Sequence, residues 1–297
     1  NATGVPEFLN LVFGKVSKPN QSLPRWFVEG VATWVETHLS EGGRVGSPTY
    51  DMMLRTAALA GELPAIDAIT GPPLSLPRAT SWYLYGSALV DHMVRHAGAD
   101  AMRAYLNAYG RRLIPYAMNT LARRHTGKDL GAWWLDMVHE VEARAKRVKA
   151  RVEAQGRIEG RALTRSGEYK SHPKFSADGQ QLLYIHADGR SAERLVMAPI
   201  DALDRPTTIA HCDGGCGPFA LSEEGERVFM TTMRPYRQVN WYSDLVEFSL
   251  SKANPRGSER RITYGARFGD PTRAPVGDAL WGVTSSWGKT TLQVVDT

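Results

Sequence analysis

Pro173-Lys-Phe-Ser176-Ala-Asp178-Gly179-Gln-Gln-Leu182-Leu-Tyr184 recurs further along this chain as Pro218-Phe-Ala-Leu-Ser222-Glu-Glu224-Gly225-Glu-Arg-Val228-Phe-Met230. The two serines are 46 residues apart (222 − 176), and so are the two glycines (225 − 179). A third, decayed copy is Pro271-Thr-Arg-Ala-Pro-Val-Gly277-Asp-Ala-Leu280-Trp, with Gly277 52 residues after Gly225 (277 − 225) and the same six-residue Pro-to-Gly interval as the first copy. In each copy an acidic residue beside Gly marks a turn; in Ser176-Ala-Asp178-Gly179 the Asp side chain caps its own backbone and Gly takes a positive φ. Apolar residues on either side recur as short runs, the pattern of strands. Leu163-Thr164 and Ile262-Thr263 precede the first and third copies, and strands such as Leu195–Ile200 and Leu292–Asp296 are expected to close a unit. No helical crossover of ten or more residues lies between these strands, so the sheets should be antiparallel.

A period of this length is that of four-stranded propeller blades. The repeat resembles TolB-like, WD-related propeller repeats over residues ~157–297. The resemblance implies an incomplete β-propeller of about three four-stranded blades, whose loop rim would bind a protein, peptide or glycan. Three blades do not close a ring, so this reading expects a longer protein and exposed sheet edges.

Residues 1–155 read differently. Leu23-Pro-Arg-Trp-Phe-Val-Glu29-Gly-Val-Ala-Thr-Trp-Val-Glu36 opens a helix at Pro24, where a missing N–H costs nothing. Glu29 and Glu36, two turns apart, fall near one face, and Phe27, Val31, Trp34 and Val35 form an apolar stripe. Gly30 and Ala32 are small enough to admit a second backbone. Further helices are expected over Ser47–Leu59, Ala79–His96, Ala101–Tyr109 (capped by Asp100), Asn119–His125 and from Asp129 to Glu153, with the Pro-rich loop 71–77 between the first two. The last helix grows polar all round, with pairs such as Glu140–Arg144 and Glu142–Lys146 four apart, as in a solvated connector.

The Trp-x-x-Glu-Gly-x-Ala-x-Trp-x-Glu pattern resembles a segment of the gluzincin metallopeptidases. That likeness implies Glu29 as a zinc ligand and Glu36 as a carboxylate supporting the site. Ser81-Trp-Tyr83-Leu-Tyr85-Gly86 is similar to the segment whose Tyr steadies the oxyanion, which implies that role for Tyr83, with Tyr85 as the alternative. The companion His-Glu-x-x-His, two imidazoles one turn apart with a general base, is absent. His139-Glu140-Val-Glu142-Ala143 has no second His and lies downstream of Glu29, the wrong order. The expectation is a chain cut after the His-bearing helix. Zn²⁺ would then belong to a full-length peptidase acting on proteins or peptides, and this chain alone would be inactive and not hold zinc tightly.

Composition suits a folded chain: 42% apolar and 23% charged residues in 297, with a net charge of +5. The basic residues are spread apart from Arg144–Arg151, which argues against nucleic acid. No apolar run approaches a membrane span. The two cysteines sit in His211-Cys212-Asp-Gly-Gly-Cys216, where a small disulfide loop or two free thiols both fit; the disulfide would suit an exported protein. The organisation expected is therefore a helical gluzincin-like region, 1–155, and TolB-like repeats, 156–297, in a periplasmic or extracellular protein. The rival reading is a non-catalytic propeller binding or assembly protein that keeps a relict peptidase scaffold.

Overall fold

A computed structural model describes residues 2–297 except 41, 72–76, 78, 79, 114, 115, 166–168, 213, 252 and 278. The chain forms two units, Asn1–Glu159 and Gly160–Thr297.

The first unit contains seven α-helices among the described residues: α1 (Val5–Phe13), α2 (Arg25–Leu39), α3 (Pro48–Ala60), α4 (Ser81–Ala97), α5 (Ala99–Gly110), α6 (Met118–Thr126) and α7 (Leu130–Ala154). Asp129 caps α7 by accepting the Ala132 N–H at 2.9 Å. Asp100, expected as a cap, instead lies inside the first turn of α5, because Gly98 at φ 91° occupies the capping position. Most of the Pro-rich loop, and Ala79 at the expected start of α4, lie outside the described residues.

Trp26, Phe27, Leu89, Met93, Tyr105, Trp133 and Met137 anchor the helical core. The apolar stripe expected on α2 holds for Phe27, which is buried, and for Val31 and Trp34, which pack against the core, but not for Val35. The buried residues of the helix are Trp26, Phe27, Gly30 and Thr33, while Val35 and Ala32 are exposed. The cause is the crossing with α4. A Cβ on Gly30 would lie 2.4 Å from the Gly86 carbonyl carbon, and one on Gly86 would lie 2.1 Å from the Trp26 oxygen. The two backbones touch, so the buried face of α2 is centred on Gly30, with Trp26 and Phe27 on it and Val35 off it.

Helix α7 also departs from expectation. Its first half is core, through Trp133, Trp134, Met137, Val141 and Ala145, and only the remainder is largely exposed. Glu140 does not depend on Arg144; it bonds to Arg95, His92 and His96 of α4, while Arg144 reaches Asp51 of α3 at 2.7 Å. Charges along this helix thus tie it to neighbouring helices.

The second unit is three antiparallel sheets in chain order. The first runs β1 (Tyr169–Phe175), β2 (Gln181–Ala187), β3 (Arg194–Pro199), β4 (Thr207–His211). The second runs β5 (Phe219–Leu221), β6 (Arg227–Tyr236), β7 (Asn240–Ser249), β8 (Arg260–Arg261). The third has three strands among the described residues, β9 (Phe268–Arg273), β10 (Leu280–Ser286) and β11 (Lys289–Val295). All pair with sequence neighbours. The strands expected to close a unit are each the third strand of their sheet, and β4 adds a fourth beyond β3.

The repeat is visible in the hydrogen bonds. Ser176, Ser222 and Ala274 each donate their N–H across the turn, to the carbonyls of Gln181, Arg227 and Ala279, all at 2.9 Å. Ala274 therefore stands where the other copies have Ser. Gly179, Gly225 and Gly277 take φ of 69°, 73° and 77°. The Asp178 carboxylate accepts from Ser176 Oγ at 2.6 Å and the Gln180 N–H at 3.0 Å, the expected cap; Asp278 lies outside the described residues.

Alternation along the strands stacks the sheets. Phe219, Val228, Met230, Val246 and Phe248 of the second sheet pack with Leu183, Ile185, Leu195 and Ile209 of the first. The intervening positions, Ala220, Phe229 and Leu245, pack with Phe268 and Leu280 of the third. A period of two sends neighbouring residues to opposite faces, so the unbroken apolar run Val228-Phe-Met belongs to a sheet covered on both sides. Cys212 and Cys216 are joined by a disulfide, Cα to Cα 5.1 Å, with Cys212 in the core between the first two sheets. No helix among the described residues is long and apolar enough to cross a membrane.

Candidate functional site

Glu29 sits on α2, partly exposed, with Arg25 one turn back at 3.6 Å. The Arg25 guanidinium in turn lies 3.8 Å from the centre of the Trp82 ring. Glu36, two turns on, is exposed and gripped by Arg44 through Nη2 at 2.5 Å and Nε at 3.2 Å. That hydrogen bond holds the Glu36 carboxyl below its ordinary pKa, against the opposing effect of desolvation. The same Arg44 guanidinium stands 4.8 Å from the centre of the Tyr83 ring. Arg44 thus links Glu36 to Tyr83, and the Gly30–Gly86 crossing keeps their helices together. Tyr85, two residues along α4, points the other way into the core beside Trp134 at 6.3 Å, and burial raises its pKa.

Among the described residues, one group of three or more His, Cys, Asp or Glu side chains could share a metal ion, and Glu29 is not in it. At Glu29 the described residues offer one carboxylate with an arginine beside it. They do not by themselves fit a zinc ion.

A second site lies at one end of the second and third sheets. The β6–β7 hairpin, the loop from β8 to β9 and the β10–β11 hairpin border an open cavity of about 480 Å³, lined by Tyr236, Tyr242, Gly265, Arg267, Ser285 and Trp287 among others. Tyr236 and Tyr242 face each other at 5.6 Å, and the Arg267 guanidinium lies 4.2 Å from the centre of the Tyr242 ring. Arg261 lies 4.6 Å from the centre of the exposed Tyr264 ring.

The wall of this cavity is fixed from beneath by Asp244, whose side chain is wholly buried. Its Oδ2 accepts from Arg261 Nη2 at 2.5 Å and the Gly265 N–H at 2.9 Å; its Oδ1 accepts from Thr263 Oγ1 and the Ala266 N–H, both at 2.9 Å. Burial alone would raise the Asp244 pKa, but these donors outweigh it and hold the carboxyl below its ordinary value. Gly265 is required as well. Its φ is 70°, and a Cβ would meet the Tyr236 ring at 2.6 Å.

Trp287 is the unusual residue. It occupies the first position of the two-residue β10–β11 turn, between Ser286 and Lys289, with φ 51°, followed by Gly288 at 74°. Turns of this kind favour Asn or Asp-Gly, because a bulky side chain is strained at positive φ. The Trp287 side chain is 96% exposed, so the fold gains no packing in return. Strain held at an exposed aromatic points to a role outside the fold.

Sequence reading passed over this surface. Its signals were the Trp287-Gly288 hairpin and the Arg and Tyr residues between strands, which become a cluster only once the sheets stack.

No family model matches the chain, and no curated protein matches it. Solved structures do. A protein of Agrobacterium tumefaciens described as a TolB is 18% identical, with a TM-score of 0.34 over 41% of this chain and 40% of that one. It is a similarity to TolB. Acinetobacter baumannii TolB is 14% identical, TM-score 0.35, over 42% of this chain and 29% of that one. A prolyl endopeptidase is 9% identical, TM-score 0.36, over 47% of this chain and 23% of that one. The chain thus spans less than half the length of each of these structures.

Proposed function

We propose that residues 160–297 are consecutive blades of a TolB-like propeller, and that the loop end carrying Trp287, Tyr242 and Arg267 binds a protein or peptide partner. The observation that carries this reading is Trp287, an exposed aromatic held at positive φ on the rim of a cavity that also offers Tyr and Arg. Trp, Tyr and Arg are the residues that dominate binding energy at interfaces. The guanidinium of Arg267 suits a carboxylate, so the favoured partner is a peptide segment that pairs acidic with apolar or aromatic side chains. Titrating a synthetic Glu- and Phe-rich peptide against the purified chain, with tryptophan fluorescence or calorimetry as the readout, should give saturable binding. Trp287→Asn and Arg267→Ala should each weaken it by ~10-fold or more, the loss of at least ~1.4 kcal/mol. Undiminished binding in both variants would overturn the reading, as would binding of a neutral oligosaccharide in place of the peptide.

A second reading concerns the helical unit as the C-terminal part of a gluzincin-like zinc peptidase. The Gly30–Gly86 crossing favours it, because it joins the helix of Glu29 and Glu36 to the helix of Tyr83. In that reading Glu29 is one metal ligand, Glu36 supports the site and Tyr83 donates to the oxyanion. A longer form of the protein carrying a His-Glu-x-x-His segment should lose metal in Glu29→Gln. It should keep metal but lose ~10²–10³ in turnover in Tyr83→Phe. Unchanged metal content in Glu29→Gln would leave the helical unit as a scaffold for the binding module. The Cys212–Cys216 bridge supports a periplasmic or extracellular address for either reading.

A further inference from the structure

The one close group of metal-ligating side chains among the described residues is His92, His96 and Glu140. His92 and His96 are one turn apart on α4, so their imidazoles leave the same face of the helix. Glu140 comes from α7. Its Oε2 lies 2.8 Å from His92 Nδ1 and 3.1 Å from His96 Nε2, and the three atoms lie within 4.8 Å of one another.

We propose that these three side chains bind a divalent transition-metal ion of the zinc class between α4 and α7. Two imidazoles and one carboxylate are the donor set that suits Zn²⁺, Co²⁺ and Ni²⁺ better than Ca²⁺ or Mg²⁺. Bonds of ~2.0–2.1 Å at tetrahedral angles put ligand atoms ~3.3 Å apart, so both contacts to Oε2 are already within about half an ångström of the required spacing. A metal ion takes the place of the protons that now join the imidazoles to one oxygen.

The surroundings fit a ligand set held in place from behind. His92 is buried, with its ring 5.7 Å from that of Trp133. Glu140 Oε1, the oxygen facing away from the histidines, receives Arg95 Nη2 at 2.9 Å. Arg95 is fixed by Asp91 Oδ2 at 2.8 Å, and Asp91 Oδ1 accepts from Trp34 Nε1 at 3.3 Å. Partners of this kind orient a ligating carboxylate and leave its other oxygen for the metal. On the open side the cluster borders a cavity of about 620 Å³, also lined by Thr126, Lys128, Trp133 and Asp136. A coordination position therefore remains for water or an added ligand, as in sites with three protein ligands.

This site is independent of Glu29 and of the peptidase reading. Calorimetric titration of the metal-free 297-residue chain with Zn²⁺ should give one equivalent bound. Co²⁺ should develop the visible absorption of a four-coordinate N/O site. His96 is half exposed, so His96→Ala should fold normally while losing ~100-fold or more in affinity, beyond the ~10–100-fold that an outer partner contributes. Glu140→Gln should weaken binding as well. His38→Ala, an exposed histidine elsewhere, and Glu29→Gln should bind as the parent does. Zn²⁺ should raise the melting temperature of the parent and leave that of His96→Ala unmoved. Absence of uptake, a Co²⁺ spectrum no different from the free aqua ion, or equal affinity in His96→Ala would each overturn the proposal.

Discussion

Replacing Asp244 by Asn changes one atom and tests how the loop end of the sheets is built. Each carboxylate oxygen accepts two donors, Arg261 and Gly265 on one, Thr263 and Ala266 on the other. An amide offers one oxygen, so whichever way it is turned an NH₂ group faces two donors. Arg261 also loses its buried counter-charge. Breaking a buried pair by removing one partner costs ~3–5 kcal/mol. Arg261 keeps the carbonyls of Thr263 at 3.0 Å and Pro235 at 3.3 Å, which places the expected cost near the lower end, about 3 kcal/mol. For a unit of this size that is a fall in melting temperature of about 10 °C. Calorimetric or circular-dichroism melts of parent and Asp244→Asn measure it. The pH dependence supplies a second check. The Asp244 carboxyl is depressed in the folded state, so its contribution is full above the unfolded value of ~3.9 and is lost as pH falls through the lower folded value. The gap between parent and variant should therefore shrink on acidification below about pH 4. A variant within ~0.5 kcal/mol of the parent at neutral pH, or a gap that widens in acid, would refute the assignment of Asp244 as the anchor of this loop.

Two further substitutions test the fold where it departs from ordinary patterning. Gly30→Ala brings a methyl group to 2.4 Å from the Gly86 carbonyl carbon with backbone on both sides, and should cost about 3 kcal/mol despite the better helix propensity of Ala; a neutral or stabilising result in a urea melt would show that α2 and α4 can part without penalty. Trp287→Asn should raise stability by about 1 kcal/mol by relieving positive-φ strain while it weakens peptide binding, and loss of stability in the same melt would show that Trp287 is held for the fold.

The strand unit was legible because its information is local. A turn that needs Gly at positive φ and a capping oxygen repeats with its spacing, and the hydrogen bonds of Ser176, Ser222 and Ala274 reproduce that spacing. The period also gave four strands to a sheet, as in the first two, but not where the fourth strand lies, since β4 and the two-residue β8 carry little pattern of their own. In the helical unit α2 to α7 were readable from periodicity and turn residues, but α1 was not anticipated and the buried face of α2 was read only in part. Its orientation is decided by a glycine on another helix, and hydrophobicity alone favoured Val35 over Gly30. Glu140 illustrates the same limit. Beside His139 in sequence it lacks a second histidine, but the fold pairs it with two histidines more than forty residues earlier, whose spacing of four was their only local signal. The resemblance put Tyr83 first and Tyr85 second, and the helix turns Tyr83 toward Arg44 and Tyr85 into the core.

The stacking of the three sheets also fixes an order of resistance to opening. Among the described residues the core packing runs from each sheet to its neighbour in sequence, so stability in this unit is close to a sum of single-sheet and nearest-interface contributions. The second sheet has an interface on either face, through Phe248 and Met230 on one side and Phe229 and Leu245 on the other. Its amide protons can exchange only when both interfaces yield, whereas β11, with Leu292 and Val294 exposed, can release its own by local fraying. The cavity beneath Trp287 is built between the second and third sheets, so its shape is set on one side by the slowest-opening part of the unit and on the other by a faster one. A ligand that clamps the two would slow exchange chiefly in β10 and β11, far more than in the strands already locked.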